Sequence, residues 1–332
     1  MTTVIASPVH LPLEDSRQAI RLRCPQCAAE AALLEDRDDA SPEDALRCRN
    51  CFKKIRKTSG VWRTLTAEQQ ARFASLLEDY EFMRRHKGRG SDDPAFYLAL
   101  PFADLTGNFT EQWRMRARCF RYLERKLLPQ LANLLGPSLR ILDIGAGSGW
   151  LSYRLALAGH RPAAVDIYAN AFDGLEAAAA FAAVVEDFFP RFQADMDRLP
   201  FENAQFDIAI FNASLHYSTS YMRTIREAMR CLRPGGFILI VDSPTCGHAA
   251  AGEAMRAERA HCFECDGPSP TLPSRQYLTD EDLEELSTPG IRWTRHIPWF
   301  GVRRWMRPWL ARITRRREPW QFYIYEGRLE GL

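Results

Sequence analysis

Residues 142–150 read LDIGAGSGW, and the segment VDI follows at residues 165–167. The glycines of the first segment occupy alternate positions: Gly145, Gly147 and Gly149. A strand, a glycine turn and a helix N-terminus form a site where backbone N–H groups and the helix dipole face a ligand, and an acid that ends the next strand, here Asp166, can accept from ribose hydroxyls. The spacing G-x-G-x-G differs from the G-x-G-x-x-G of nicotinamide dehydrogenases. The two segments therefore predict a nucleoside site of another kind.

The sequence around this loop alternates between apolar strands and helices. The predicted strands are PSLRILDIG (137–145), HRPAAVDI (160–167), a short one in RFQADMDRLPF (191–201), FDIAIFNASLHY (206–217) and FILIVDS (237–243). Helices are predicted in GWLSYRLALAG (149–159), in the alanine-rich run that follows VDI, and over residues 222–232. This alternation predicts an α/β fold with a doubly wound, mostly parallel sheet. Ligands of such sheets bind beyond the carboxyl ends of the strands, where Gly145, Asp166, Asp195 and Asn212 fall.

Length and composition set the broad class. The chain has 332 residues, of which 46% are apolar and 26% charged, and its net charge is +2. It is long enough for one domain of about 200 residues and a smaller one. No secretory signal or membrane-spanning run is recognisable, so a cytoplasmic protein is expected.

The pattern divides the chain into three parts. Residues 1–62 are predicted to form a zinc-ribbon-like domain and residues 63–136 a helical linker and cofactor lid. Residues 137–332 are predicted to form the sheet domain, with a basic, Trp-rich insertion at 300–318. Two candidate strands close the chain, IRWTRHIPWF (291–300) and PWQFYIYEGRL (319–329).

Five segments in order resemble the class I S-adenosylmethionine (SAM)-dependent methyltransferases, particularly the quinone-biosynthesis-like branch, methyltransferase type 11. They are LDIGAGSGW, VDI, ADMDRLPF, FDIAIFNASLHY and RPGGF. The resemblance covers about residues 137–243 and implies a Rossmann-like, seven-stranded sheet that binds SAM, with the terminal strand pair as its antiparallel edge. Methyl transfer from a sulfonium needs alignment and a water-poor pocket rather than a nucleophilic side chain.

The resemblance also implies roles for individual residues. Asp143, Gly145 and Gly147 would border the methionine moiety, Asp166 would bind the ribose, and Ile167 would lie against the adenine. Asp195 would accept from the adenine amino group beside Met196, and Asn212 would lie next to the sulfonium. The full predicted cofactor-binding set is Asp143, Gly145, Ala146, Gly147, Gly149, Asp166, Ile167, Asp195, Met196 and Asn212.

A general base is needed only if the acceptor must lose a proton. The candidates at the strand ends are His216, Tyr217 and Asp242, although His216 fits a packing role equally and Asp242 a capping role. Similar methyltransferases cover the cofactor with an aromatic helix. Tyr97, Phe102, Phe109 and Trp113 are candidates for such a lid, or for ordinary core packing against the sheet.

Two cysteine pairs, CPQC and CRNC, stand 20 residues apart near the N-terminus. This spacing predicts a structural Zn²⁺ site with the ligands Cys24, Cys27, Cys48 and Cys51. The ribbon resembles the small zinc-ribbon modules that activate some tRNA and protein methyltransferases. A second group in HCFEC (261–265), with Cys246 and His248, is interpreted as chance rather than a metal site.

Basic residues raise the question of partners. Arginines and lysines cluster around the second cysteine pair (residues 47–57), and residues 291–317 hold nine arginines, four tryptophans and no acid. These features are typical of RNA binding, of peripheral contact with the inner membrane surface, or of a surface that faces only solvent. The preferred hypothesis is methyl transfer from SAM to a small organic acceptor, which is quinone-like or lipid-linked. The alternatives are an RNA base methyltransferase and a non-catalytic SAM-binding scaffold.

Overall fold

The computed structural model describes residues 20–35, 44–264, 274–287, 290–302, 306 and 321–330. Its strands are β1 (Leu33–Glu35), β2 (Ala45–Cys48), β3 (Lys54–Thr58), β4 (Val61–Arg63), β5 (Arg140–Ile144), β6 (Arg161–Asp166), β7 (Arg191–Gln193), β8 (Phe206–Asn212), β9 (Leu232–Cys246), β10 (Leu278–Thr279), β11 (Ile291–His296) and β12 (Gln321–Leu329). Its α-helices are α1 (Ala67–His86), α2 (Pro94–Ala99), α3 (Thr110–Tyr122), α4 (Leu128–Leu135), α5 (Trp150–Leu157), α6 (Tyr221–Cys231), α7 (Ala249–Glu264) and α8 (Asp280–Glu285).

Seven of these strands form the predicted doubly wound sheet, in the order β7-β6-β5-β8-β9-β12-β11. The strands from β7 to β9 pair in parallel, whereas β12 runs antiparallel to both β9 and β11. The central strand β5 pairs with β6 on one side and β8 on the other, so the chain reverses its winding direction there. The predicted fold class and the antiparallel edge are confirmed. The carboxyl ends of β5, β6 and β8 meet at one edge of the sheet.

Apolar side chains cover both faces of the sheet. One core contains Leu142 and Ile144 of β5 and continues under α6 and α8. The other contains Ile141 and packs against α2 to α5. Alternate residues of β5 therefore enter opposite cores, as a strand buried on both faces requires.

The N-terminal cysteine region shares the main sheet. Strand β4 pairs in parallel with β7, with Trp62 opposite Phe192. The buried side chains of Leu22 and Ile55 belong to the same core as β5, and Arg23 N–H donates to the carbonyl of Pro200 at 3.1 Å. The described part of the predicted zinc-ribbon-like domain, residues 1–62, adds its strands to this sheet, and β4 covers what would otherwise be the open edge of β7.

Two helix predictions need correction. The alanine-rich run forms a short 3₁₀ segment, Leu175–Phe181, where the sequence favours an α-helix. Burial of Phe181, stacked on Tyr153 with 4.3 Å between ring centroids, outweighs local helix propensity there. The helical linker predicted over 63–136 is continuous over 110–135 but contains a π-helical turn, Leu123–Leu127.

Two further predictions concern membranes and the basic insertion. Among the helices described, none is both long and apolar enough to cross a bilayer. Most of the insertion at 300–318 lies outside the described residues.

Candidate functional site

The glycine loop after β5 has the backbone that its spacing predicts. Gly145, Gly147 and Gly149 have φ values of 76°, 54° and 75°, in the left-handed region that glycine adopts most easily. A Cβ added at Gly145 would lie 2.2 Å from the Cβ of Ser214. At Gly147 the nearest atom to such a Cβ is the carbonyl oxygen of Asp173, 4.0 Å away. The loop is therefore tightly packed from below at Gly145 and open above Gly147, where a ligand can lie.

Asp166 ends β6 directly beside this loop. Its carboxylate accepts from the backbone N–H of Gly147 at 2.7 Å and from that of Tyr168 at 2.8 Å. Burial raises the pKa of Asp166, while these two N–H donors and the charge of Arg84 oppose the rise. The half-buried carboxylate retains lone pairs for a second pair of donors, which suits a ribose diol.

Asp143 of β5 lies within the core. Its side chain is fully buried, and one carboxyl oxygen accepts from the Ser152 hydroxyl at 2.8 Å. The other oxygen has no hydrogen-bond partner among the described residues. Burial raises the pKa of Asp143 to about 7. Asp143 therefore supports the loop from beneath, and its contact with the methionine moiety stays a prediction.

The acid after β7, Asp195, already has protein partners. Its carboxylate forms an ion pair with Arg72 and accepts from the Gln69 side chain at 3.4 Å. Both partners belong to the first turns of α1, which begins with Thr66 and Gln69 in a capping box. An adenine amino group that donated to Asp195 would share this acceptor with the side chains of α1 and would lie beside the half-buried Met196.

Helix α1 is tied to the loops at the carboxyl edge at two points. Arg72 binds Asp195 near its start, and Arg84 binds the buried Asp173 near its end. Between them Tyr80 lies edge-on against Tyr168, with 5.1 Å between ring centroids. The large apolar residues on one face of α1 are half-buried: Phe73, Leu76, Leu77, Tyr80 and Met83. A half-buried face above the strand ends is the geometry of a cover for the cofactor site.

The candidates for a general base occupy different environments. His216 is buried, with Nδ1 3.3 Å from the Ser243 hydroxyl. Tyr217 is 40% exposed and stands after β8, close to the half-buried Asn212. Asp242, in β9, is buried and accepts from Arg116 Nε at 2.8 Å. Of the three, Tyr217 has the surface that an acceptor can reach.

The four aromatic lid candidates fall into two groups. Tyr97 and Trp113 are buried, and Trp113 lies edge-on against Trp150 of the glycine-loop helix α5. Phe102 is 42% exposed and packs on Phe120. Phe109 is half-buried beneath the guanidinium of Arg89, 4.0 Å from its ring centroid. Tyr97 and Trp113 are thus core residues behind the loop, whereas α1 lies above it.

The four N-terminal cysteines converge as predicted. All four Sγ atoms lie within 4.8 Å of one another, with Cys24 and Cys51 3.5 Å apart and Cys27 and Cys48 3.7 Å apart. Four thiolates about 2.3 Å from a tetrahedral Zn²⁺ would be separated by about 3.8 Å. The donor set therefore fits Zn²⁺.

The backbone of the two cysteine pairs is nearly symmetric. Ala28 N–H donates to the Cys24 carbonyl, and Phe52 N–H donates to the Cys48 carbonyl, both at 2.8 Å. Asn50 also donates to Cys27 Sγ at 3.4 Å and, with other donors, lowers the pKa of that thiol to about 6. The first turn thereby favours the thiolate of Cys27, the form that metals bind.

The second cysteine group falls largely outside the described residues. Cys246 is buried in β9 and His248 is exposed. Cys265, and the side chains of His261 and Cys262, are not among the parts described. The four N-terminal cysteines are the one metal-type cluster found in the described ranges.

Sequence analysis missed the polar and charged residues that surround the site: Gln69, Arg72, Arg84, Arg89 and Arg116. Arg84 meets Asp173 across 89 positions of sequence, and Arg116 meets Asp242 across 126. Arginine is common on exposed helix faces, so no local signal marks these residues. The fold alone brings them together.

Comparisons with known proteins identify the central segment. Residues 142–240 match the family model described as a methyltransferase domain. The malonyl-(acyl-carrier protein) O-methyltransferase of Erwinia pyrifoliae is 27% identical over 142 residues, which cover 43% of this chain and 49% of that one. The 27-O-demethylrifamycin SV methyltransferase of Amycolatopsis mediterranei is 34% identical over 128 residues, covering 35% and 44%. The chain spans about half or less of the length of these relatives.

A SAM-dependent methyltransferase from Methanosarcina mazei aligns with a TM-score of 0.40 and 20% identity over 61% of this chain and 98% of that one. The family match and the named relatives confirm the resemblance to class I SAM-dependent methyltransferases for the central segment.

Proposed function

Because residues 142–240 are a methyltransferase domain, we propose that this chain transfers a methyl group from SAM to a small organic acceptor. One observation carries the proposal. The Asp166 carboxylate at the end of β6 lies against the N–H of Gly147, in a loop that is open above that glycine. An acid and a bare glycine backbone at this edge suit an uncharged nucleoside with a sulfonium, rather than a pyrophosphate.

The residues proposed to hold SAM are among those that the family resemblance implies. Asp166 would hold the ribose and Ile167 would border the adenine, while Gly145, Ala146, Gly147 and Gly149 would line the amino-acid end. Asn212 would stand beside the sulfonium. SAM supplies an electrophilic methyl group, so the transfer itself needs no protein nucleophile.

The chain's own contribution is alignment and exclusion of water. Helix α1 covers the carboxyl edge, held by Arg72 and Arg84, and so limits the access of water to the reacting groups. Tyr217 would contact an acceptor, with its hydroxyl available to receive or relay a proton. His216, hydrogen-bonded to Ser243, would orient the segment that carries Tyr217.

Binding of S-adenosylhomocysteine, measured by titration calorimetry, tests the cofactor assignment. Asp166→Ala should weaken binding by at least tenfold, because two hydroxyls lose a charged acceptor. Asp187→Ala, at an exposed acid away from the loop, is the matched control and should leave affinity unchanged. Equal affinity for wild type and the Asp166 variant would refute the assignment.

The acceptor is identified by incubation with methyl-labelled SAM and a cell extract separated into RNA, protein, lipid and small molecules. We expect label in the small-molecule or lipid fraction, consistent with a quinone-like or lipid-linked acceptor. Label in RNA would favour an RNA base methyltransferase instead. Cofactor binding with no labelled fraction would favour a scaffold role.

We further propose that Cys24, Cys27, Cys48 and Cys51 hold one structural Zn²⁺, on the strength of their Sγ separations. Elemental analysis of the purified chain should give one zinc per molecule. Cys48→Ala should lose it, whereas Cys119→Ala, at a buried cysteine of α3, should retain it. Full zinc content in the Cys48 variant would contradict this site.

A further inference from the structure

Three arginines surround the mouth of the proposed active site. Arg84 binds Asp173, whose carbonyl oxygen faces Gly147, and Arg116 binds Asp242 in β9. Arg89 stands in the loop after α1. Burial, followed by the charges of Arg84 and Arg116, lowers the pKa of Arg89 to about 10. The three guanidinium groups are thus close enough to repel one another.

Arg89 differs from the other two in its partners. Within the described ranges its guanidinium forms no ion pair with an acid and donates one hydrogen bond, from Nη1 to the Gln112 side chain at 3.0 Å. Its guanidinium plane lies on the ring of Phe109, 4.0 Å from the centroid. A guanidinium has five N–H donors, so most of the Arg89 fork remains available to a ligand.

Two glycines determine where Arg89 stands. Gly88 has a φ of 60°, and an added Cβ would lie 2.6 Å from the Asn108 side chain. Gly90 is buried, and an added Cβ would lie 2.4 Å from the carbonyl oxygen of Phe172. This close approach fixes the loop against the segment that carries Asp173. Arg89 is therefore held in place by the backbone on both sides, as well as by Gln112 and Phe109.

We propose that Arg89 binds an anionic group, a carboxylate or a phosphate, on the methyl acceptor. The proposal rests on the methyl transfer proposed above and specifies the acceptor as an acidic molecule. A planar guanidinium fork binds a carboxylate or phosphate through two parallel hydrogen bonds, and such charge-assisted pairs are the strong ones. Phe109 and Gln112 hold the plane of the fork, so little freedom is lost on binding.

The charges near Arg89 support an anion at this position. Arg84 and Arg116 each form an ion pair with a buried acid, whereas Arg89 forms none among the described residues, although it lies near enough to Asp173 to lower the pKa of that acid. A sulfonium in the same site would add a further positive charge. An anion bound at Arg89 would give this guanidinium an ion-pair partner of its own.

The experiment uses the full chain saturated with S-adenosylhomocysteine, so that the carboxylate of the cofactor product is already in place. Acetate and inorganic phosphate are titrated separately by calorimetry at constant ionic strength. We expect saturable binding of at least one of them, weakened tenfold or more by Arg89→Met and less by Arg89→Lys. Arg114→Met, at an exposed arginine of α3, is the matched control and should bind as wild type does. The probe that binds identifies the class of anion.

Three outcomes would overturn the proposal. They are no saturable binding of either anion to the loaded wild type, equal binding by the Arg89→Met variant, and a tenfold loss of S-adenosylhomocysteine affinity in that variant. The last would assign Arg89 to the carboxylate of the cofactor rather than to the acceptor. Failure of the wild type to bind S-adenosylhomocysteine at all would instead refute the proposed methyl transfer. A melting curve of the Arg89→Met variant checks that it folds.

Discussion

Replacing Gly145 with alanine should destabilise the fold through two separable effects. The new Cβ would lie 2.2 Å from the Cβ of Ser214, whereas carbon atoms pack best at about 3.5–4.0 Å. Relief of that overlap should cost about 1–3 kcal/mol. The φ of 76° is left-handed, which adds about 1–2 kcal/mol for an L-residue. The free energy of unfolding, from urea titration, should therefore fall by about 2–5 kcal/mol.

Two further variants separate these effects. Gly159→Ala has a similar φ of 82° and nothing within 4 Å of the added Cβ, so it should show only the conformational cost. Ser214→Gly removes the clashing carbon, so the pair Gly145→Ala and Ser214→Gly should show a favourable coupling of at least about 1 kcal/mol in a double-mutant cycle. The reasoning fails if Gly145→Ala costs no more than Gly159→Ala, or if the cycle shows no coupling.

Two other predictions concern buried charge. The folded pKa of Asp143, about 7, lies above its unfolded value, so the unfolded chain releases this proton first and wild type should lose stability as pH rises from about 4 to 7. In the absence of cofactor, the Asp143→Asn variant should not show that loss, so the free energies of unfolding of the two proteins should shift relative to each other by about 4 kcal/mol across this pH window. Parallel plots of unfolding free energy against pH for the two proteins would contradict this prediction. Arg84→Met should lower the free energy of unfolding by about 3–5 kcal/mol because it leaves Asp173 buried without its ion pair. The exposed Arg85→Met should change it by less than about 0.5 kcal/mol, and similar losses in both variants would show that the Arg84 pair has no special weight.

Local sequence was sufficient for the features that depend on backbone geometry. The glycines at residues 145, 147 and 149 easily adopt the left-handed backbone of the loop, and the acid of VDI ends a strand that pairs beside β5. In each of the two N-terminal turns, two residues separate the cysteines, and both turns close by the same type of backbone hydrogen bond. Local sequence therefore predicts the cysteine cluster. These elements are encoded within a few residues of one another.

Contacts between distant parts of the chain could not be predicted in this way. Asp143 has the same residue type as Asp166, yet one is sealed in the core and the other reaches the loop surface, because Asp143 pairs beside Ala164 whereas Asp166 lies two residues farther along, at the end of β6. Arg72 occupies Asp195 from a helix 123 positions away in sequence. Which acid meets a ligand and which meets an arginine is decided by packing.

The pairing of β4 with β7 also bears on how the chain avoids association with its own copies. Without β4, the three-residue strand β7 would present an open row of N–H and C=O groups at the side of a parallel sheet, which is a template for joining another molecule. Strands β1 to β4 instead extend the sheet, which ends at β1, a strand of three residues with the exposed Glu35 at its end. The cysteine region therefore covers this edge of the sheet. A chain shortened to begin at residue 65 should form aggregates through the edge that the truncation exposes.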